Sequence, residues 1–154
     1  MSEQAYEFHY RRRVEFADTD MAGIVHFARI FCFAEEAEHA FLRSVGWSVH
    51  KTNDDEVIGF PRLATRFEFD RPLRFEDEVD VHLWVRRQGE KTLTYQFVLS
   101  QDGEMAAHGE FTVICCRVHV GSRVESIPIP TRLADKLAEA PYPPLEFGGR
   151  GGDN

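Results

Sequence analysis

Apolar side chains recur at every second position from Phe8 to Phe16, interrupted only at Arg12, and the residues between them are charged or polar. A strand with one buried face produces this period, because its side chains point alternately to opposite faces of a sheet. The pattern therefore predicts a first β-strand close to the start of the chain.

The hydrophobic period changes after the turn that follows this strand. Apolar residues then recur three or four positions apart, as they do on one face of an α-helix. They are Phe27, Ile30, Phe31, Ala34, Ala37, Phe41 and Val45. Gly46 is a typical residue at which a helix stops. We therefore expect one long helix from about His26 to Val45.

Four later segments show the strand period again. They are residues 63–69, 79–85, 93–99 and 105–120. The last of these is apolar in both registers, which is typical of a central strand buried on both faces or of a strand broken by a bulge. Asp102-Gly103 indicates a tight hairpin before it, and Gln88-Gly89-Glu90 indicates another.

The remaining segments are a predicted loop, a predicted short helix and the C-terminal residues. Residues 47–57 include Asn53-Asp54-Asp55-Glu56 and are predicted to be a loop. A short helix is expected over 131–140, just after Pro130. We assign residues 1–140 to one domain and expect 141–154, which are rich in proline and glycine, to be a disordered tail.

This order of elements predicts an α+β fold in which a five-stranded antiparallel sheet wraps one long helix. One helix covers only one face of such a sheet. The opposite face and any open edge then need a partner or charged residues. We therefore expect a homodimer or a homotetramer.

Composition narrows the class of protein. A chain of 154 residues with 43% hydrophobic and 29% charged residues suits one globular domain. No apolar run approaches the ~18 residues of a membrane span, and the first residues do not form a secretory signal. We expect a cytoplasmic protein without a membrane span.

The net charge and the spacing of the cysteines and histidines exclude further classes of protein. The net charge of −8 opposes binding to nucleic acid. The three cysteines form no CxxC pair, and the seven histidines show no spacing such as HExxH. We therefore expect no disulfide framework, no metal and no redox cofactor.

Residues Val14–Phe27 (VEFADTDMAGIVHF) combine the end of the first strand, an Asp-x-Asp-x-x-Gly turn and the start of the long helix. This segment resembles the signature of the 4-hydroxybenzoyl-CoA thioesterase-like family of hotdog-fold acyl-CoA thioesterases. Weaker matches are Glu35-Glu36-Ala37, Arg71–Phe75 with Asp77–Val79, and Arg86-Arg87 with Lys91-Thr92. The resemblance extends over roughly residues 8–120.

The resemblance implies a hydrolase that cleaves an acyl-CoA thioester to a free acid and coenzyme A. Asp20 matches the family's catalytic aspartate, which acts as nucleophile or as general base. Its place before a helix also puts it near the helix dipole and the free N–H groups of the first turn, near Val25 to Phe27, which can stabilise an oxyanion. The acyl group, aromatic or short-chain aliphatic, stays open. The alternative is a non-catalytic acyl-CoA-binding hotdog module.

The neighbours of Asp20 have several interpretations. Asp18 is expected to be a structural turn residue or helix cap. Gly23 serves the backbone conformation or a close approach of substrate. His26 either assists catalysis or lines the acyl pocket. Phe27 stands where some relatives carry histidine, which favours an aromatic or apolar pocket.

Other charged residues are candidates for catalysis or for binding coenzyme A. A second group of hotdog thioesterases carries its catalytic glutamate on the long helix, so Glu35 and Glu36 are rivals of Asp20. Helical spacing places Glu35 and Glu38 away from the apolar stripe, where solvated charges are usual. Arg86, Arg87 and Lys91 flank a hairpin and suit the phosphates of coenzyme A, or form a solvated strand edge. The resemblance places the active site at a subunit boundary.

Overall fold

A computed structural model describes residues 3–49, 51–53, 56–119 and 121–149 of the chain. Its elements are β1 (Glu7–Arg13), α1 (Phe27–Ser44), β2 (Lys51–Asn53), β3 (Glu56–Gly59), β4 (Arg62–Phe69), β5 (Glu78–Gln88), β6 (Thr92–Gln101), β7 (Glu104–Ile114), β8 (Cys116–His119), β9 (Val124–Ser126) and α2 (Thr131–Ala134). Within the described residues, no helix has the length and apolar character that crossing a membrane requires.

The main sheet has five strands in the order β1-β5-β6-β7-β4, and all neighbouring strands are antiparallel. Helix α1 packs its apolar stripe against the inner face of this sheet, with Phe33 and Phe41 fully buried beside Leu83, Phe97 and Phe111. The predicted α+β hotdog architecture, one long helix wrapped by a five-stranded antiparallel sheet, is confirmed.

Helix α1 begins and ends within one residue of the predicted limits. It starts at Phe27 because the preceding residue His26 has an extended backbone. It ends at Ser44, and Gly46 adopts a φ of +81°, a left-handed conformation that glycine reaches without a steric cost.

The prediction of a loop over 47–57 is wrong in part, because this segment contains β2 and the start of β3. These strands join β8 and β9 in a second antiparallel sheet of order β2-β3-β8-β9. Asn53 of β2 pairs with Glu56 of β3, and residues 50, 54 and 55 lie outside the described residues.

The long apolar run over 105–120 is two strands, one in each sheet. It divides at Cys115, whose N–H donates to the carbonyl of Lys91 at 2.7 Å. Both registers are buried within β7 itself, where the consecutive residues Ala106–Gly109 are all buried. Val120 lies outside the described residues.

The helix predicted over 131–140 is shorter, since α2 ends at Ala134. The chain then runs beside the start of the protein. Ala5 N–H donates to the carbonyl of Lys136 at 2.8 Å, and Ala138 N–H donates back to Ala5 at 3.0 Å. Ala140 N–H bonds the carbonyl of Val85 at 2.8 Å, which fixes the end of this segment to β5.

Residues 141–149, which we name the C-terminal strap, cross the outer face of the main sheet. Tyr142 donates its hydroxyl to Glu7 of β1 at 2.7 Å, and the N–H of Leu145 donates to Gln96 of β6 at 3.0 Å. Residues 141–149 thus contact the main sheet in this structure, and the disordered tail over 141–154 stays a prediction. Residues 150–154 lie outside the described part of the chain.

The strap ends over β7 and β4. The ring of Phe147 stacks on the imidazole of His108, with 5.3 Å between ring centroids, and the guanidinium of Arg66 lies 4.6 Å from the same ring. Gln96 and His108 are consequently buried although they sit on the outer face. This chain covers part of its own outer face, so that part does not require a partner.

We expect deletion of residues 141–154 to lower the free energy of unfolding by about 1–3 kcal/mol, because it exposes apolar surface around Trp84 and removes the hydrogen bond to Gln96. Urea unfolding of the two proteins measures the difference. Deletion of 150–154 alone is the matched control and should change little. Equal stability of the long deletion and the full chain would contradict this role of the strap.

Candidate active site

The turn between β1 and α1 is a closed backbone loop. Thr19 and Val25 form an antiparallel bridge, the N–H of Asp20 donates to the carbonyl of Ile24, and the N–H of Gly23 donates to Asp20, both at 3.0 Å. Gly23 has a φ of +76°, and a Cβ placed there would meet no described atom within 4 Å. The positive φ supports the role of Gly23 in the backbone conformation, and the open space beside it leaves room for a close approach of substrate.

Asp18 is the buried anchor of this loop, with 1% of its surface exposed. Its carboxylate accepts hydrogen bonds from Arg12 of β1 at 2.6 Å, Arg29 of α1 at 2.8 Å and the N–H of Glu15 at 2.8 Å. Burial alone would raise the pKa of Asp18, but these hydrogen bonds outweigh it and hold the pKa below its usual value. The structural interpretation of Asp18 is confirmed.

Asp20 is placed differently, because 37% of its side chain is exposed. Its Oδ1 accepts the N–H of Ala22 at 2.8 Å, which orients the carboxylate within the turn. Its Oδ2 lies 3.7 Å from Nδ1 of His26. One oxygen of Asp20 is thus fixed by the backbone, while the other faces a group that can carry a proton.

A cavity of about 470 Å³ opens beside Asp20. It lies between the helix-start segment 20–30 and the segment 69–73 that follows β4. Most of its lining is apolar, from Ile24, Val25, Phe27, Ile30, Phe69, Pro72, Leu73 and Ala106. Asp20, Asp70 and Arg71 are its charged residues. An apolar cavity with a few polar groups at its wall is the usual form of a small-molecule site.

Two of the N–H groups predicted to stabilise an oxyanion are already used. Val25 donates to the carbonyl of Leu73 at 2.8 Å, and His26 donates to the carbonyl of Asp18 at 2.9 Å. That part of the prediction is wrong. In the described chain, the structure gives the N–H groups of Phe27 and Ala28 no acceptor, as expected in the first turn of a helix.

His26 and Phe27 differ in their relation to the cavity: only Phe27 is among the described residues that line it. The imidazole of His26 stands next to Asp20, outside the set of residues that line the cavity among those described. The ring of Phe27 lines the cavity and lies 4.7 Å from the His26 ring. The structure thus favours Phe27 over His26 as a pocket residue.

The helix glutamates are engaged elsewhere. Glu35 pairs with Arg62 at 3.0 Å, and Glu36 accepts from Arg12 Nε at 3.1 Å. Glu38 accepts from Arg62 Nη1 at 2.6 Å. None of the three belongs to the described residues that line the cavity beside Asp20.

The prediction that Glu38 is solvated is wrong, because only 1% of it is exposed. Phe60, Pro61 and Arg62 close over this side of α1 together with the second sheet. Burial raises the pKa of Glu38, and the neighbouring charge of Arg62 opposes that rise only in part. Sequence spacing could not reveal this cover, which comes from a later segment.

The basic hairpin lies away from the cavity within one chain. Arg86 sits where the register of β5 and β6 shifts, and Lys91 Nζ lies 3.5 Å from the hydroxyl of Ser126. Along β6, Leu93 pairs with Val113 at the hairpin end, whereas Leu99 pairs with Ala107 near the cavity. Six residues of extended strand separate these points by about 20 Å. Arg86, Arg87 and Lys91 are therefore not brought to Asp20 of the same chain.

The segment 69–73 was not singled out as part of the site, although it forms one wall of the cavity. The N–H groups of Asp70 and Arg71 both donate to the carbonyl of Ala106, at 2.8 and 3.0 Å. The Asp70 carboxylate also bonds Nδ1 of His108 at 2.7 Å. Arg71 pairs with Glu104 at the rim. The sequence signal for this segment was the resemblance of Arg71–Phe75 to the family. That resemblance gives no distance between the segment and Asp20.

Comparisons with known proteins identify the family and the fold of this chain. A family model described as the thioesterase-like superfamily matches residues 14–139. A putative esterase of Aquifex aeolicus is 37% identical over 97 residues, which are 62% of this chain and 73% of that protein. A 1,4-dihydroxy-2-naphthoyl-CoA hydrolase of Trichodesmium erythraeum is 30% identical over 119 residues, 75% of this chain and 86% of that protein.

A solved structure gives the same picture. The structure of a gentisyl-coenzyme A thioesterase superposes with a TM-score of 0.75 and 28% sequence identity. The match covers 85% of this chain and 100% of that chain.

We expect Asp18→Asn to lower the free energy of unfolding by about 2–4 kcal/mol, because Arg12 and Arg29 lose the carboxylate that compensates their partly buried charges. Because the pKa of Asp18 is lowered by folding, this difference is complete above about pH 5 and disappears as the pH falls through the lowered pKa. Chemical unfolding at several pH values measures it. Asp20→Asn is the matched control, and a loss as large in that variant would refute the assignment.

Proposed function

The chain belongs to the thioesterase-like superfamily and is a thioester hydrolase, and we propose that it hydrolyses an acyl-CoA to a free acid and coenzyme A through Asp20. The observation that carries this proposal is the position of the Asp20 carboxylate. It is partly exposed, oriented by Ala22 N–H, and set at the wall of an apolar cavity beside the start of α1.

In the proposed reaction the acyl group occupies the cavity and the thioester oxygen points to the start of α1. The N–H of Phe27, helped by the positive end of the helix dipole, donates to the oxyanion that forms on attack. This arrangement stabilises negative charge where it develops, without a metal ion.

Asp20 acts in one of two ways. As a nucleophile it attacks the carbonyl carbon, the C–S bond breaks, the thiolate of coenzyme A leaves, and water hydrolyses the resulting anhydride. As a general base it takes a proton from water, which attacks the same carbon and displaces the same thiolate. In both routes the products are a carboxylate and the thiol of coenzyme A after protonation of the thiolate.

We favour an aromatic acyl group over a short aliphatic one. Phe27 and Phe69 contribute aromatic rings to the cavity, which suits a planar ring. The cavity volume of about 470 Å³ also exceeds what a short aliphatic chain needs. The relatives named for 1,4-dihydroxy-2-naphthoyl-CoA and gentisyl-CoA point in the same direction.

We further propose that the protein works as a homodimer or a homotetramer and that coenzyme A spans two subunits. Strand β4 is an edge of the main sheet, and Leu63 on it is exposed and apolar, as on a surface that pairs with another strand. Because Arg86, Arg87 and Lys91 lie about 20 Å along the sheet from the cavity of their own chain, we assign them to the coenzyme A of a neighbouring subunit.

We expect Asp20→Asn to lower kcat by at least about 10²-fold while binding of acyl-CoA is kept. Asparagine can still accept the N–H of Ala22, so the turn is preserved, but it can neither attack the carbonyl nor take a proton. Release of thiol from a panel of aromatic and aliphatic acyl-CoA substrates measures the effect.

Glu35→Gln and Glu36→Gln are the controls, and both should keep most of the activity. An active Asp20→Asn beside an inactive glutamine variant would place the catalytic carboxylate on α1. If the parent protein binds acyl-CoA and hydrolyses none of the panel, the non-catalytic binding module is the correct interpretation.

We expect alanine at Arg86, Arg87 and Lys91 together to raise KM for acyl-CoA more than it lowers kcat, because the phosphates are remote from the bond that breaks. Steady-state kinetics with acyl-CoA and with a truncated acyl-pantetheine substrate separates the two effects, since only the first carries the phosphates. An unchanged KM for acyl-CoA would identify these residues as a solvated strand edge.

A further inference from the structure

A group of metal-binding side chains lies on the outer face of the main sheet, where β1 pairs with β5. His9 stands directly opposite His82 in the register of the two strands, and Glu7 precedes His9 by two residues on the same face. One donor atom from each of the three residues lies within 4.8 Å of the others. We propose that Glu7, His9 and His82 form a binding site for one divalent transition-metal ion, with Zn²⁺ as the best fit.

The donor set has the chemistry of a zinc site. Two imidazoles and one carboxylate are ligands that Zn²⁺ commonly takes, and they leave a fourth position for water. Nε2 of His82 lies 2.8 Å from Oε2 of Glu7. Two donors bound to one tetrahedral Zn²⁺ at about 2.0 Å each are about 3.3 Å apart, so this pair needs only a small adjustment.

The third ligand is oriented by a carboxylate outside the group. Nδ1 of His9 lies 3.1 Å from a carboxylate oxygen of Asp80. In the tautomer with the proton on Nδ1, Nε2 of His9 is left to bind the ion, which is how carboxylates usually support a metal-bound histidine. The rings of His9 and His82 are stacked, with centroids 4.1 Å and planes 6° apart. One ring therefore has to rotate about its side-chain bonds before both imidazoles face one ion.

The carboxylate ligand is also contacted by the C-terminal strap. The hydroxyl of Tyr142, from the C-terminal strap, lies 2.7 Å from Oε2 of Glu7. An ion at this place would therefore join β1 to β5 next to the beginning of the strap.

The site is open to solvent and independent of hydrolysis. His9 is exposed, while Glu7 and His82 are half-buried, so an ion can enter directly. None of the three is among the described residues that line the cavity of Asp20. No linear sequence motif predicts the site, because its ligands come from two strands that are far apart in the sequence. The competing interpretation is a cluster of hydrogen bonds and ion pairs that holds no metal.

The test uses the untagged full-length protein, stripped of metal with a chelator and then titrated with Zn²⁺ in isothermal calorimetry. We expect one ion per chain and a rise in the melting temperature on saturation. Replacement of Zn²⁺ by Co²⁺ should give the visible absorption of a four-coordinate ion. Absence of saturable binding at one ion per chain would overturn the proposal.

Variants locate the ion. His9→Gln and His82→Gln should each weaken binding by more than about tenfold, and Asp80→Asn should weaken it by about 10- to 100-fold through His9. His119→Gln, an exposed histidine on β8, is the matched control and should not change the affinity. Binding that persists in the doubly substituted protein His9→Gln, His82→Gln would refute the assignment.

A measurement on the parent protein covers the case in which a variant does not fold. Nuclear magnetic resonance of the histidine rings should show the signals of His9 and His82 moving on addition of Zn²⁺, while that of His119 stays in place. Movement of other histidines without these two would place the ion elsewhere and overturn the proposal.

Discussion

The active-site end of the fold depends on one buried carboxylate. Asp18 binds Arg12 of β1 and Arg29 of α1, so a strand, a turn and the first turns of a helix meet at a single charge. Arg12 continues the network to Glu36 further along the helix. A carboxylate removed from water is costly unless its hydrogen bonds are made, and here they are made by groups from both elements. The angle between β1 and α1 is therefore set where the turn that carries Asp20 begins.

Asp18 and Asp20 are two residues apart but lie in different surroundings, because the hydrogen bonds that bury Asp18 leave Asp20 partly exposed. The carbonyl of Asp18 takes the N–H of His26, and Leu73 takes that of Val25, so the first free N–H groups of the helix are those of Phe27 and Ala28. Asp20 stays at the surface, where it can meet a substrate. A turn that also bonded the N–H groups of Phe27 and Ala28 would leave the start of α1 without a free donor among the described residues.

Local sequence patterns predicted the helices and strands whose formation depends on residues close together in the chain. The period of apolar residues located α1 and the five strands of the main sheet. Turn chemistry alone favoured a structural role for both Asp18 and Asp20, and the family resemblance separated the two. The sequence could not show that Glu38 is buried, because its cover comes from Phe60 and Pro61. It could not show the distance of the basic hairpin from the cavity either. Such facts arise from segments that meet only when the sheets form.

The strap gives the end of the chain an unexpected importance for the cavity. Phe147 lies on His108, and His108 holds the carboxylate of Asp70, a residue of the cavity wall. The two faces of the sheet are thus connected through one imidazole. In evolutionary terms, substitutions at Phe147 are a route by which a lineage can alter one wall of the cavity while every residue around Asp20 stays the same.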